Sequence, residues 1–335
     1  MVLIQSELNS KYRIILYLQK IRVFGTRLLR DTVRTSFELF KIMVPLSIIT
    51  KILAEFGFIE LLGSVLTPVM KLVGLPGEIG LVWAASILTS TYGGMLVFAS
   101  LAPAANLTIA QVTVLGTMIL VAHSMPLELS IAKKAGTRFR VMIILRISGA
   151  FLVGWILYHF YRISGLLQSA NNAIWKPPPR DPALLPWMHS ELKTYLMIVV
   201  VILVLLLIMR ILDKLNITSL LTRLLEPILR LMGLSERAAP ITIIGITMGI
   251  GYGGGLIIQE AKSGVLTKYD IFYSLTFMGL CHGVIEDTAL MVLIGGHLSG
   301  LFWARSLFAL VITFLMVKVV NRLSESTFDR FFFKQ

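Results

Sequence analysis

The same motif occurs twice in this chain, about 159 residues apart. One copy, LTPVMKLVGL, begins at Leu66, and the other, LEPILRLMGL, begins at Leu225. The correspondence continues downstream at an offset of 159 or 160. Three further pairs match: Tyr92-Gly93-Gly94 with Tyr252-Gly253-Gly254, Leu107-Thr108 with Leu266-Thr267, and His123 and Glu128 with His282 and Asp287. The chain is therefore expected to fold as two related halves.

Each half is too apolar to form a soluble domain. Of the 335 residues, 56% are hydrophobic and 15% are charged, and the mean hydropathy is +0.83. Soluble domains carry about 25% charged residues. Because one helical crossing uses about 20 mainly apolar residues, the chain is long enough for roughly eight to ten crossings. We predict an all-α integral membrane protein whose first partner is the lipid bilayer.

The net charge of +13 has a topological explanation. Lys and Arg accumulate in loops that stay in the cytoplasm, so the basic balance does not predict nucleic acid as a partner. The single cysteine, Cys281, excludes an internal disulfide framework.

The polar stretches divide the chain into five segments. We expect a basic amphipathic helix on the cytoplasmic leaflet, two repeats, a proline-rich linker that interrupts helix, and a short tail. A mitochondrial presequence is the alternative for the first segment. The boundaries are 1–36 for the helix, 37–161 and 192–322 for the repeats, 162–191 for the linker and 323–335 for the tail.

Charge bias indicates that the two halves are inserted upside down relative to each other. Residues 51–78 hold two basic residues, whereas the matching residues 210–237 hold five; residues 133–146 hold five and residues 292–305 hold one. Opposite bias at equivalent loops is typical of inverted repeats, with both termini in the cytoplasm. Each half would then contain three spans and a broken or re-entrant hairpin. The spans are expected at 39–56, 79–101, 141–160, 192–209, 238–258 and 302–320, and the hairpins at 109–132 and 271–294; full crossings in place of the hairpins are the alternative.

Ionisable residues lie in both predicted hairpins. The first contains His123 and Glu128, and the second contains His282, Glu286 and Asp287. Such groups are costly at membrane depth and usually face one another or a water-filled cavity on an ion or substrate route. The alternative is that they cap broken helices. Their repetition in both halves favours a binding role.

Glycine-rich stretches follow tyrosine in both halves. Gly249, Gly251 and Gly254 formally match a dinucleotide motif, but that motif needs a strand and a βαβ unit, which an apolar span does not provide. Glycine can break a helix or allow close helix packing. We expect the two Tyr-Gly-Gly segments, Tyr92-Gly93-Gly94 and Tyr252-Gly253-Gly254, to shape breaks in the spans and contribute to binding, together with Gln259.

The hairpins also contain donors that suit a transition metal. Cys281, His282 and His123 would be its candidate ligands, although their spacing is no known structural zinc pattern. A proton relay through histidine and carboxylate is the competing interpretation.

At these residues the chain resembles a known family. LTPVMKLVGLP, TYGG and HSMPLELSIAKKAG in the first half, with LEPILRLMGLSERAAP, GYGGG and CHGVIEDT in the second, are similar to the Gate or nucleoside-recognition membrane family. That family includes the spore-maturation type proteins and is similar to the membrane part of ferrous-iron permeases and, distantly, to concentrative nucleoside transporters. The resemblance implies a bacterial inner-membrane protein with an inverted-repeat bundle and a transport role.

The sequence departs from these relatives in two respects. It lacks the nucleotide-binding domain of the iron permeases, and its hairpins lack the Asn and Gln clusters expected for a nucleobase. The leading hypothesis is a permease, not an enzyme, that moves a small polar or ionic solute by alternating access. It needs no cofactor, takes H⁺ or Na⁺ as a candidate coupling ion, and is a candidate homo-oligomer. A divalent metal permease and a non-transporting scaffold are the alternatives.

Overall fold

The structure, a computed structural model, describes residues 2–175 and 183–334. The side chains of residues 2–18, 20, 21, 213, 217, 218, 248 and 250–252 lie outside the description. Helices make up most of the described chain, and its only β pairings are the isolated bridges Thr108–Ala170 and Thr137–Phe333. The all-α prediction is confirmed.

The same order of seven helices occurs twice, followed by a short C-terminal helix. The first set comprises α1 (Val2–Glu55), α2 (Phe58–Lys71), α3 (Gly80–Leu88), α4 (Thr91–Ala105), α5 (Ile109–Val121), α6 (Met125–Lys134) and α7 (Phe139–Ser164). The second comprises α8 (Leu184–Lys214), α9 (Ile217–Leu231), α10 (Ala238–Met248), α11 (Ile250–Ser263), α12 (Lys268–Leu280), α13 (Glu286–Leu293) and α14 (Arg305–Val320), with a π turn at Ser299–Ala304 and α15 at Glu325–Phe331.

Local backbone features repeat at the same offset. Helices α5 and α12 both begin with a capping box. The hydroxyls of Thr108 and Thr267 accept hydrogen bonds from the N–H groups of Gln111 and Asp270, whose side chains accept from the N–H groups of the two threonines. Ser124 and Gly283 both adopt left-handed backbone conformations, with φ values of 49° and 55°. The two halves are therefore related in structure as well as in sequence. Their inversion stays a prediction.

Several helices are long and apolar enough to cross a membrane. Within the described residues there are four, namely Ile109–Lys134, Phe139–Ser164, Leu184–Leu212 and Ser299–Val320. A fifth candidate is the pair Arg22–Glu55 and Phe58–Lys71, which is bent by 92°. The number of crossings predicted from length is higher because several shorter apolar helices fall below the length of a span.

The chain divides into two compact units. The smaller comprises Met1–Ile42 and Pro178–Leu215, and the larger comprises Met43–Pro177 and Asn216–Gln335. In the smaller unit, Arg210 pairs with Asp31 and stacks over the Phe24 ring, and the Phe40 and Tyr195 rings lie 5.3 Å apart. Helix α1 runs without a break through residues 36 and 37.

The linker becomes helical earlier than its prolines indicate. Residues 176–182 lie outside the description, but α8 already begins at Leu184 and includes Pro186 in its first turn. Proline is tolerated there because the first N–H groups of a helix have no partner inside the helix.

The predicted spans 79–101 and 238–258 are each divided into two helices. The first breaks where Ser90 caps α4 by accepting a hydrogen bond from the Gly93 N–H at 3.3 Å, and the second breaks at Gly249, whose φ is +87°. The helices of each pair then fold back on each other, since a Cβ at Gly94 would overlap the Ser86 hydroxyl and one at Gly253 would overlap the Gly245 backbone. By contrast, the predicted hairpin 109–132 forms one candidate span, Ile109–Lys134, which is broken at residues 122–124.

Candidate functional site

Two short non-helical segments carry the candidate site. The first break, residues 122–124, separates α5 from α6, and the second break, residues 281–285, separates α12 from α13. Each break contains a histidine followed by a residue with positive φ. The histidines, His123 and His282, are 5% and 3% exposed. Non-helical backbone at membrane depth is tolerated where it is buried in protein or lines a cavity.

A buried arginine stabilises each break. In the first, Arg146 donates from Nε to the Val121 carbonyl at 3.0 Å and from Nη2 to the His123 carbonyl at 3.0 Å. In the second, Arg305 donates to the carbonyls of Leu280 and His282 at 3.2 and 2.6 Å. Both arginines are 1% exposed and lie 159 positions apart. They satisfy carbonyls that the interrupted helices leave without intrahelical partners.

The two imidazoles face each other across the halves. His123 Nδ1 lies 2.9 Å from the Ile119 carbonyl, and His282 Nδ1 lies 2.7 Å from the Met278 carbonyl. Because a carbonyl only accepts, each Nδ1 is assigned the ring proton, and each neutral ring then presents a lone pair at Nε2. The two Nε2 atoms are 3.2 Å apart. Two facing lone pairs repel, so this geometry calls for a proton or a cation between the rings.

Carboxylates surround this histidine pair. The Glu128 Oε1 lies 3.4 Å from His282 Nε2 and 3.8 Å from His123 Nε2, and its Oε2 lies 2.7 Å from Arg146 Nη1. The Asp287 Oδ2 lies 3.7 Å from His123 Nε2. We call His123, Glu128, His282, Glu286 and Asp287 the ionisable cluster.

Side chains of the first Tyr-Gly-Gly segment reach the same cluster. Tyr92 donates its hydroxyl to the Glu286 Oε1 at 3.1 Å, and Thr91 donates to the Asp287 Oδ1 at 3.2 Å. The first turn of α4, directly after the break, therefore contacts carboxylates of the second half. Tyr92 thus contacts the ionisable cluster, and its binding role stays a prediction.

The glycines of the two Tyr-Gly-Gly segments have packing contacts. An added Cβ would overlap Thr89 at Gly93, Ser86 at Gly94, the Gly245 backbone at Gly253 and Ile131 at Gly254. These contacts bring α4 close to α3, and α11 close to both α10 and α6.

The remaining predicted residues lie apart from the cluster or beyond description. The side chain of Tyr252 lies outside the described residues, and that of Gln259 is exposed on α11. Cys281 is buried, with its Sγ 3.8 Å from the Ser306 hydroxyl. The grouping of potential metal donors therefore comprises His123, His282 and Asp287 and does not include the predicted Cys281.

Sequence reasoning missed Arg146 and Arg305 as site residues. It counted both as loop charges that set the topology, whereas both are buried next to the cluster. Their exact offset of 159 and their position inside apolar runs were the available signal.

The cluster has the chemistry of a small-cation site. His123, His282 and Asp287 each offer one ligating atom, and these three atoms lie within 4.8 Å of one another. Zinc–nitrogen bonds of about 2.0–2.1 Å at a tetrahedral angle place two nitrogens about 3.3 Å apart. The observed Nε2 separation of 3.2 Å is close to that value. The carbonyls that hold each Nδ1 are the outer partners that metal-binding histidines ordinarily have.

Fold and site together define an α-helical integral membrane protein with a buried ionisable cluster. Residues 36–138 match the Gate family model, described as nucleoside recognition. The chain is 24% identical over 285 residues to the membrane protein YvoD of Bacillus subtilis (strain 168). The matched region covers 84% of this chain and 89% of YvoD. The resemblance to the Gate family inferred from the sequence is confirmed.

A solved structure shares the fold. It is an outward-facing double variant of the concentrative nucleoside transporter CNTnw, with a TM-score of 0.60 over 83% of this chain and 74% of that one. The two sequences are 14% identical, so the similarity concerns the fold alone.

Proposed function

We propose that this protein is a permease that moves a small polar or ionic solute across the bacterial inner membrane by alternating access. The observation that carries the proposal is the meeting of His123 and His282, one from each repeat, at breaks in two buried helices. Secondary transporters place their sites where discontinuous helices of two repeats meet. The ionisable cluster would be the binding site.

The geometry of the cluster favours a small cation, with a divalent transition metal ion as the leading candidate. Two neutral imidazoles and a carboxylate are donors that suit such ions. Their ligating atoms are already grouped, and the Glu128 carboxylate, although paired with Arg146, adds negative charge beside them. A proton shared between the two Nε2 atoms would use the same geometry and is the candidate coupling ion.

A nucleoside is the second candidate, supported by the description of the Gate family model and by the similarity to the nucleoside transporter fold. It would require the cluster to open, because 3.2 Å between the imidazoles leaves no space for a base. Gln111, a hydrogen-bonding side chain suited to a base, is already engaged with the Gly74 carbonyl and the cap of α5.

The orientation follows from charge. The basic loop between α6 and α7 would face the cytoplasm, as the positive-inside rule predicts, and both termini would lie on that side.

The test is transport and binding by the purified full chain in proteoliposomes and in detergent. We would measure uptake of Mn²⁺, Zn²⁺ and uridine, and binding of the same ions by calorimetry, for the native protein and for His123→Gln/His282→Gln. We expect metal uptake by the native protein and a loss of metal affinity of more than about 100-fold in the double variant, since even outer-shell changes cost 10–100-fold.

The matched control is His159→Gln. His159 Nδ1 makes the same type of contact, 3.0 Å from the Trp155 carbonyl, but it belongs to α7 and not to the cluster. This variant should retain native affinity and uptake. Uridine uptake without metal binding would make a nucleoside the substrate in place of a metal ion. Transport that the double variant leaves unaffected would place the binding site elsewhere. The absence of all uptake would favour a scaffold.

A further inference from the structure

A second concave site lies away from the ionisable cluster. It is a cavity of about 920 Å³ formed by the loop between α6 and α7, the end of α11, the start of α12 and the C-terminal tail. Six of its lining residues are Lys133, Lys134, Arg138, Arg140, Lys262 and Lys334. We call it the basic pocket. No Asp or Glu is among its lining residues.

Most of the positive charge of the basic pocket is uncompensated. Lys268, which also lines it, is neutralised by Glu325 and Asp329 at 2.6 and 2.8 Å. By contrast, four other lysines of the pocket form no ion pair with a described carboxylate, namely Lys133, Lys134, Lys262 and Lys334. Arg138 donates to the Asp329 backbone carbonyl at 3.0 Å, a contact that holds its guanidinium without cancelling its charge.

The backbone adds further donors. Phe139 and Arg140, the first residues of α7, line the pocket, and the N-cap residue Arg138 makes no side-chain hydrogen bond to that turn. The first N–H groups of a helix carry partial positive charge and bind anions readily.

The other repeat provides an internal comparison. Residues equivalent to the α11–α12 side of the basic pocket lie at 102–107, where they line a cavity of about 290 Å³ with Phe98, Asn171 and Trp175. Beside that cavity the linker packs through Asn171 against Gly295, as the C-terminal tail packs through Phe333 against the equivalent Gly136 beside the basic pocket. The smaller cavity has no Lys or Arg lining.

Topology alone explains basic residues in a cytoplasmic loop, but it does not require residues from three separate segments to surround one cavity. We propose that the basic pocket binds a phosphate-bearing anion, either a free phosphorylated solute or the headgroup of an anionic lipid. The proposal does not depend on the transported solute, since the pocket shares no residue with the ionisable cluster.

The experiment compares two variants with the same loss of charge. Lys134→Gln/Lys262→Gln removes two charges from the pocket, and Lys71→Gln/Arg322→Gln removes two exposed charges elsewhere. Pyrophosphate binding to the full chain in uncharged detergent is measured by calorimetry at fixed ionic strength. Retention of phosphatidylglycerol from mixed phosphatidylcholine nanodiscs is measured by native mass spectrometry.

We expect the pocket variant to weaken binding of at least one probe roughly 30-fold, because each basic residue near an anionic surface contributes about fivefold. The control variant should bind as the native protein does. Pyrophosphate binding identifies a soluble ligand, and phosphatidylglycerol retention without it identifies a lipid headgroup. Equal losses in the two variants, or no binding of either probe to the native protein, would overturn the proposal.

Discussion

The two buried arginines at the helix breaks should differ in their contribution to stability although they occupy equivalent positions. Arg146 binds two backbone carbonyls and also forms an ion pair with Glu128. Arg305 binds the two equivalent carbonyls, but no described carboxylate forms an ion pair with it, and its Nη1 is buried without a hydrogen-bond partner. Asp287, the counterpart of Glu128, instead contacts Thr91 and His123.

Arg146→Met should therefore cost more than Arg305→Met. Removing Arg146 leaves the Glu128 carboxylate buried without its counter-charge, and breaking a buried ion pair in this way costs about 3–5 kcal/mol. Removing Arg305 also loses two hydrogen bonds of a charged group, but it eliminates an unsatisfied buried N–H that itself costs about 1–3 kcal/mol. We expect a net loss of about 1–3 kcal/mol for Arg305→Met.

A double-mutant cycle isolates the difference. Adding Glu128→Gln to Arg146→Met removes the stranded charge and should recover about 2 kcal/mol, within the range of interaction energies for contacting residues. Adding Asp287→Asn to Arg305→Met should be additive within about 0.5 kcal/mol, because no described ion pair joins those residues. The assay is reversible denaturation in mixed micelles followed by tryptophan fluorescence. Equal costs of the two arginine variants, or additivity at Arg146 and Glu128, would refute the reasoning.

Two further outcomes follow from local geometry. Gly253→Ala should destabilise the protein by about 1–3 kcal/mol, because its Cβ would overlap the Gly245 backbone, whereas Gly255→Ala meets nothing within 4 Å and should stabilise α11 by about 0.5–1 kcal/mol; thermal unfolding of both variants decides. Hydrogen bonds to Asp329 and Glu325 raise the pKa of Lys268 to about 12, so its stabilising contribution is complete below its ordinary value of 10.5 and is lost only as pH rises through about 12. Hydrogen exchange in α15, corrected for intrinsic rates, should not change between about pH 6 and 9 and should accelerate in Lys268→Gln; acceleration across that pH range in the native chain would contradict this assignment.

The sequence by itself determined the membrane class and the pairing of the two halves. Low charge and long apolar runs exclude a soluble domain. In lipid every backbone polar group must be satisfied inside the spanning element, and helices meet this requirement. The constant offset pairs His123 with His282 along the chain. These properties depend on composition and register, which a linear pattern records directly.

Only the tertiary structure decided which breaks continue as a span and which fold back. Apolar residues surround all four breaks, so hydropathy does not distinguish them; the fold-back depends on small residues eight positions apart, such as Gly245 and Gly253, that let two backbones touch. It also decided the environment of the arginines. In the sequence Arg146 and Arg305 look like loop charges. In the structure they are buried, because the interrupted helix of each half supplies carbonyls that accept their hydrogen bonds. Contacts between residues 23 or 25 positions apart, and between the two imidazoles 159 positions apart, are set by packing in three dimensions and leave no periodic signal along the chain.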